Sequence, residues 1–133
     1  MPEYITVIAA KKVRGGVVSI KTDIDEYLYD ELKTLLPHAD ARRTGSDDEY
    51  RRIYLSPATV EKYQLKPGVR IEYAELIEII EASNFARAKN KALSLLTGRD
   101  YSAGGLIKKL SQTYPKSAAE SACSEMIRLG FIR

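Results

Sequence analysis

From Ala74 onward the hydrophobic pattern of this chain becomes helical and stays so to the end, and that limits the fold more than any other feature. Before it, short apolar and β-branched runs, the pattern of strands, are mixed with turn residues and short helical stretches. After it, apolar residues recur every three or four positions, the pattern of amphipathic helices. YITVIAA (residues 4–10) reads as a strand, Gly15-Gly16 as a turn built on positive φ, and VVSIKT (17–22) as the returning strand. Leu28, Leu32, Leu35 and Leu36 then recur at helical spacing, with Asp25 placed to cap and Pro37 to stop. The polar stretch HADARRTGSDDE (38–49) reads as a mobile loop, and residues 50–55 return to a strand pattern. Ser56-Pro57 suits the start of a short helix, Lys66-Pro67-Gly68 a turn, and residues 69–73 alternate like another strand.

Beyond Ala74, Leu76, Ile77, Ile79 and Ile80 form one helical stripe, and Phe85, Ala88, Ala92, Leu95 and Leu96 form a second. Asn84 stands between them as a possible interruption or cap, and Gly98 suits a C-cap. Ser102 opens a helix running to about Thr113, although Gly104 and Gly105 occupy the first turn, where a capping Glu is expected. Ser117-Ala118-Ala119-Glu120 matches a capping box opening the last helix. Ala119, Ala122, Cys123 and Met126 share one face of it, Gly130 closes it, and Phe131-Ile132 can fold back. Isolated short helices are marginal in water, so the three must pack together, with small residues allowing close approach. The expectation is an α+β chain: a small N-terminal β-hairpin and strand-containing region over 1–73, then a three-helix repeat over 74–133.

A length of 133 residues suits one ordinary domain or two small modules. Its 44% hydrophobic and 29% charged residues are a soluble composition, with no run near the roughly 18 apolar residues of a membrane span. The start, MPEYITVIAAKKVRGG, is a poor signal peptide, and a single Cys123 fits a reducing cytoplasm. The net charge of +3 is unevenly spread: residues 1–84 carry 12 Lys and Arg against 15 Asp and Glu, whereas 85–133 carry 9 against 3. Catalytic constellations do not emerge. His38 stands alone beside Pro37, Cys123 lies on an apolar face with no His to activate it, and no Cys/His spacing suits zinc. Neither glycine pair has the context of a phosphate loop. Glu72, Glu75, Glu78 and Glu81, like Asp47-Asp48-Glu49, suit solvent better than a cation. No enzyme activity, cofactor or metal is expected. A binding surface is: Arg87 and Lys91 are one helical turn apart, Arg99 follows, and Lys108 and Lys109 lie on the outer side of the next helix. Such a surface suits phosphates of single- or double-stranded DNA rather than bases, since the Gly-Gly helix lacks an Arg/Asn/Gln set for base reading.

The segment from Asn84 to Ile132 resembles the RecX family, bacterial regulators of the RecA recombinase. The likeness lies in an Ala-Arg-Ala/Lys helix reaching Ala92-Leu93-x-Leu95-Leu96, the basic turn residue Arg99 and the capping Ser102. It continues through Leu106, Lys109-Leu110 and a helix ending Leu129-Gly130-Phe131-Ile132. YLSPATVEKYQLKPGVRIEYAELIEII upstream resembles the family's N-terminal region, so residues 50–132 are covered and the first part matches more loosely. The resemblance implies a non-enzymatic regulator that binds the recombinase–DNA filament and damps ATP hydrolysis and strand exchange, with Arg87, Lys91, Arg99, Lys108 and Lys109 as filament or DNA contacts. Two departures stand out. Gly105 occupies the position of the family's usual Glu, which should let this helix fray unless packed, at roughly 1 kcal/mol per glycine. The sequence also ends at Arg133, where family members continue into two more three-helix repeats. It is expected to be either a shortened chain or a one-repeat relative.

A second reading starts from RRIYLSPATVEKYQLKPGVRIEY (residues 51–73), which is similar to the swapped-hairpin transcription regulators of the AbrB type. That resemblance implies a dimer of interleaved strands binding DNA through residues such as Arg51, Arg52 and Arg70. It leaves the downstream helices unexplained.

Overall fold

The computed structural model describes residues 3–38, 40 and 51–132 of the 133. The fold is α+β. Strands β1 (Tyr4–Val13) and β2 (Val17–Thr22) form a hairpin, followed by α1 (Glu26–Leu32) and a 3-10 turn (Lys33–Leu35). Then come β3 (Arg52–Leu55), α2 (Pro57–Lys62), β4 (Arg70–Glu72), α3 (Tyr73–Gly98), α4 (Ala103–Leu110) and α5 (Lys116–Arg128). The sheet order is β3-β2-β1-β4, with every neighbouring pair antiparallel. Gly15 and Gly16 turn the hairpin with φ of 95° and 73°, the region closed to most L side chains.

The two strands flanking α2 end on opposite edges of this sheet. Ile53 of β3 pairs with Ile20, and Ile71 of β4 pairs with Ile5. Both are thus paired within the chain, each on one side. One face of the sheet carries Ile5, Val7, Val18, Ile20, Ile53 and Leu55 against Leu32, Leu76, Ile79 and Ile80. A second core gathers Ala88, Ala92, Leu106, Leu110, Ala119, Ala122, Cys123 and Met126. Each fully buried Leu or Ile here contributes about 1.5–3 kcal/mol. The alanines keep α3 and α5 close, as the small-residue pattern predicts. The change of period at Ala74 marks the passage from strand to helix, but the two cores divide farther along, between Ile80 and Ala88 of α3.

Three helix starts follow their sequence signals. Asp25 accepts from the Leu28 N–H at 2.8 Å, Ser56 accepts from Thr59 with Pro57 behind it, and Ser102 accepts from Gly105 at 3.0 Å. The capping box at Ser117 does not form. Pro115, with φ −55° and ψ 148°, is the N-cap, so α5 starts at Lys116 and Ser117 falls inside the first turn. Nor does α4 reach Thr113: it ends at Leu110, and the N–H groups of Gln112 and Thr113 bond three residues back, tightening the chain into turns. Asn84 neither caps nor interrupts, since α3 runs unbroken for 26 residues. Of the C-terminal pair only Ile132 folds back, while Phe131 is exposed. The stretch expected as a mobile loop lies outside the described residues, apart from His38 and Asp40. Among the described residues no helix is long and apolar enough to cross a membrane.

Leu106 and Leu110 are fully buried, so packing holds α4 despite its two glycines. A Cβ at Gly104 would meet nothing within 4 Å, whereas one at Gly105 would come within 3.0 Å of the capping Ser102 Oγ. Gly104→Ala should therefore stabilise the fold by about 0.5–1 kcal/mol, chiefly by restricting the unfolded chain. Urea denaturation checks this; an unchanged or lower midpoint contradicts it.

Candidate functional site

The apolar stripe of α3 is interrupted at its middle by three buried polar residues, Ser83, Asn84 and Arg87. Each is spent on the part of the chain that precedes the helix. Ser83 Oγ accepts from the Ser56 N–H at 2.9 Å, and Asn84 Nδ2 donates to the Leu35 carbonyl at 2.6 Å. Arg87 donates to both carboxylate oxygens of Asp40, at 2.9 and 3.0 Å, and to the Tyr54 carbonyl at 3.3 Å. Its guanidinium also lies 5.6 Å from the centre of the Tyr114 ring, beyond α4. One side chain thus joins β3, the segment after the 3-10 turn, and the helical unit. Burial pulls the guanidinium pKa down, but the hydrogen bonds and charge of Asp40, with Tyr114, outweigh it and hold Arg87 above its ordinary range.

The structure places Arg87 differently from what its charge suggests. Arg87 was expected on the partner-binding surface; it is 9% exposed and its charge is neutralised in a bidentate pair. Helical phase carried the missed signal. Positions 80, 83, 84, 87 and 88 continue the buried stripe of 76 and 79, so Arg87 faces inward with Asn84.

The other four candidates are exposed: Lys91 on α3, Arg99 in the connection to α4, and Lys108 and Lys109 in the last turn of α4. None of the four forms an ion pair among the described residues. Arg99 stacks over Tyr101 at 4.7 Å, which fixes its direction at little cost to its charge. Lys108 and Lys109 also complement the negative end of the α4 dipole. Arg128 is occupied differently. It pairs with Glu125, and this hydrogen bond, opposed by slight desolvation and aided by the charges of Arg128 and Lys89, holds the Glu125 carboxyl below its usual range. That pair's contribution is present above the ordinary carboxylate range and is lost as pH falls through the lowered value.

Among the described residues no three His, Cys, Asp or Glu side chains are placed to hold a metal ion. Cys123 is buried and donates weakly to the Ala103 carbonyl at 3.5 Å, and desolvation pushes its thiol pKa up, away from the reactive thiolate. A surface hollow of about 610 Å³ is lined by Tyr29, Lys33, Pro37, His38, Asp40 and Arg52 among others. Its best polar groups already serve the fold: Asp40 holds Arg87, and the Tyr29 hydroxyl donates to the Arg52 carbonyl at 3.0 Å.

No protein-family model matches the chain, and no curated protein matches it in sequence. Its fold is similar to a solved structure described as the crystal structure of regulatory protein RecX, with a TM-score of 0.56 over 97% of this chain at 14% identity. The chain spans 52% of that chain's length.

Proposed function

We propose that this chain is a non-enzymatic regulator that binds the RecA recombinase–DNA filament and inhibits its ATP hydrolysis and strand exchange. The observation that carries this reading is the fold likeness, over 97% of the chain, to a regulatory protein RecX. The spacing of the Ala92–Leu96, Ser102 and Leu129–Ile132 motifs supports it independently. Lys91, Arg99, Lys108 and Lys109 supply the contacts, to phosphates or to acidic side chains of the filament. Neutralising four phosphates gives a logarithmic salt slope of about −3 to −4. The partner is cytoplasmic, and the chain needs no cofactor for the role.

The test is single-stranded-DNA-dependent ATP hydrolysis by the RecA of the same cell, titrated with the wild-type chain and with a variant carrying K91E, R99E, K108E and K109E. All four side chains are exposed, so the variant should fold. Arg87 stays untouched because its charge holds the fold. Wild type should inhibit, and the variant should need more than about tenfold higher concentration, the equivalent of about 1.4 kcal/mol. Failure of the folded wild type to inhibit would overturn the regulator reading. Equal inhibition by both chains would move the contact elsewhere.

A further inference from the structure

Strand β1 is ten residues long, but its partner on the outer side is short. β4 pairs only with Tyr4, Ile5 and Thr6. Two more bonds extend the cover by one residue: Val7 N–H to the Val69 carbonyl at 2.8 Å, and Gly68 N–H to the Val7 carbonyl at 2.7 Å. From Ala9 to Val13 the strand is paired on one side alone, by β2, and Ile8 sits at an irregularity where the register shifts between Val7 and Ala9. In an antiparallel ladder alternate residues turn their N–H and C=O groups away from the partner. Among the described residues, this half of β1 therefore presents an open row of backbone donors and acceptors, a template for one more strand.

The side chains on the open stretch select what can use it. Lys11 and Lys12 are exposed, and neither forms an ion pair among the described residues. Two-fold pairing with a second copy centred on this stretch would set lysine against lysine on each face of the sheet, and like charges on facing strands are destabilising. An acidic segment meets the opposite situation. Ile8, 39% exposed at the near end of the stretch, offers an apolar contact for an alternate side chain of the incoming strand. A nucleic acid would satisfy the lysines but not the ladder, because phosphates supply no N–H donors.

We propose that the open edge of β1, residues 8–13, is a docking site for an extended acidic peptide segment of a partner protein, added to the sheet as a fifth strand. Backbone bonds supply affinity, and Lys11 and Lys12 supply the preference for acidic sequence. This site uses none of the residues assigned to the filament surface, so the two readings stand or fall separately.

The experiment titrates the full ¹⁵N-labelled chain with a fluorescent peptide of alternating Glu and Thr, and with its Lys-for-Glu counterpart. Binding is read by anisotropy and by amide hydrogen exchange. The acidic peptide should bind and slow exchange at alternate amides within 8–13 by about tenfold or more, as strand pairing requires. The basic peptide should not. In a K11E/K12E variant the preference should reverse. Binding without protection of these amides would overturn the proposal, as would equal binding of both peptides or no binding by the folded chain. Protection of the same amides by a single-stranded oligonucleotide, or by self-association at high concentration, would overturn the choice of occupant.

Discussion

Replacing Asp40 with alanine should destabilise the fold by about 3–5 kcal/mol, the range for breaking a buried ion pair by removing one partner. The loss arises less from the missing attraction than from what stays behind. Arg87 would keep its charge in a site where it is 9% exposed, with the Tyr54 carbonyl and Tyr114 beside it but no carboxylate among the described residues. Urea denaturation monitored by far-UV circular dichroism measures the change. Lys91→Ala, one turn along and exposed, should alter stability by less than about 0.5 kcal/mol. The double variant Asp40→Leu, Arg87→Met should recover most of the loss, since exchanging a buried pair for apolar residues is often nearly neutral. A cost below about 1 kcal/mol for Asp40→Ala would mean that Arg87 reaches water, and would return it to the candidate contacts.

The second large effect is expected at Leu106→Ala, at about 2–5 kcal/mol, because the side chain is 0% exposed in the helical core. α4 is the weakest element of that core in its own right, eight residues long with Gly104 and Gly105 in its first turn. Cys123 provides the readout. Its thiol lies against the Ala103 carbonyl at the start of α4, so movement of α4 away from α5 exposes it. A disulfide reagent should modify Cys123 slowly in the wild type and much faster in the variant, in the absence of denaturant. The apolar core against the sheet contains no α4 residue. If Cys123 stays equally protected in both proteins, α4 does not open independently and the loss is global.

Much of this architecture was legible in the sequence, and the parts that were not share a cause. Strands and helices were marked by period and by local chemistry: Gly15-Gly16 for the hairpin, and Asp25, Ser56 and Ser102 for the caps. These signals act within a few residues, and nothing distant competes with them. Ser117 failed because a neighbour with a stronger local constraint, Pro115, set the helix start first. Arg87 failed for a different reason. Its charge suggested solvent, while its helical phase suggested burial, and the deciding partner, Asp40, is 47 residues away. Polar residues at buried phase are where tertiary structure overrides residue type. The open edge of β1 was equally hidden, because the length of β4 follows from pairing rather than from composition.

The pairing of β1 with β4 has a consequence for the order of assembly during synthesis. Tyr4 and Glu72 are 68 residues apart, and the side chains that cover the sheet, Leu76, Ile79 and Ile80, come later still. Emerging from the ribosome N-terminus first, the hairpin forms early, but its apolar face waits for α3 before it can be shielded. Contacts within the helical unit span shorter stretches and close faster once they emerge. The interval between them, from the first turn of the hairpin to the arrival of Ile80, is when this chain depends most on not meeting a copy of itself. Lys11 and Lys12, already in place on β1, repel such copies throughout that interval.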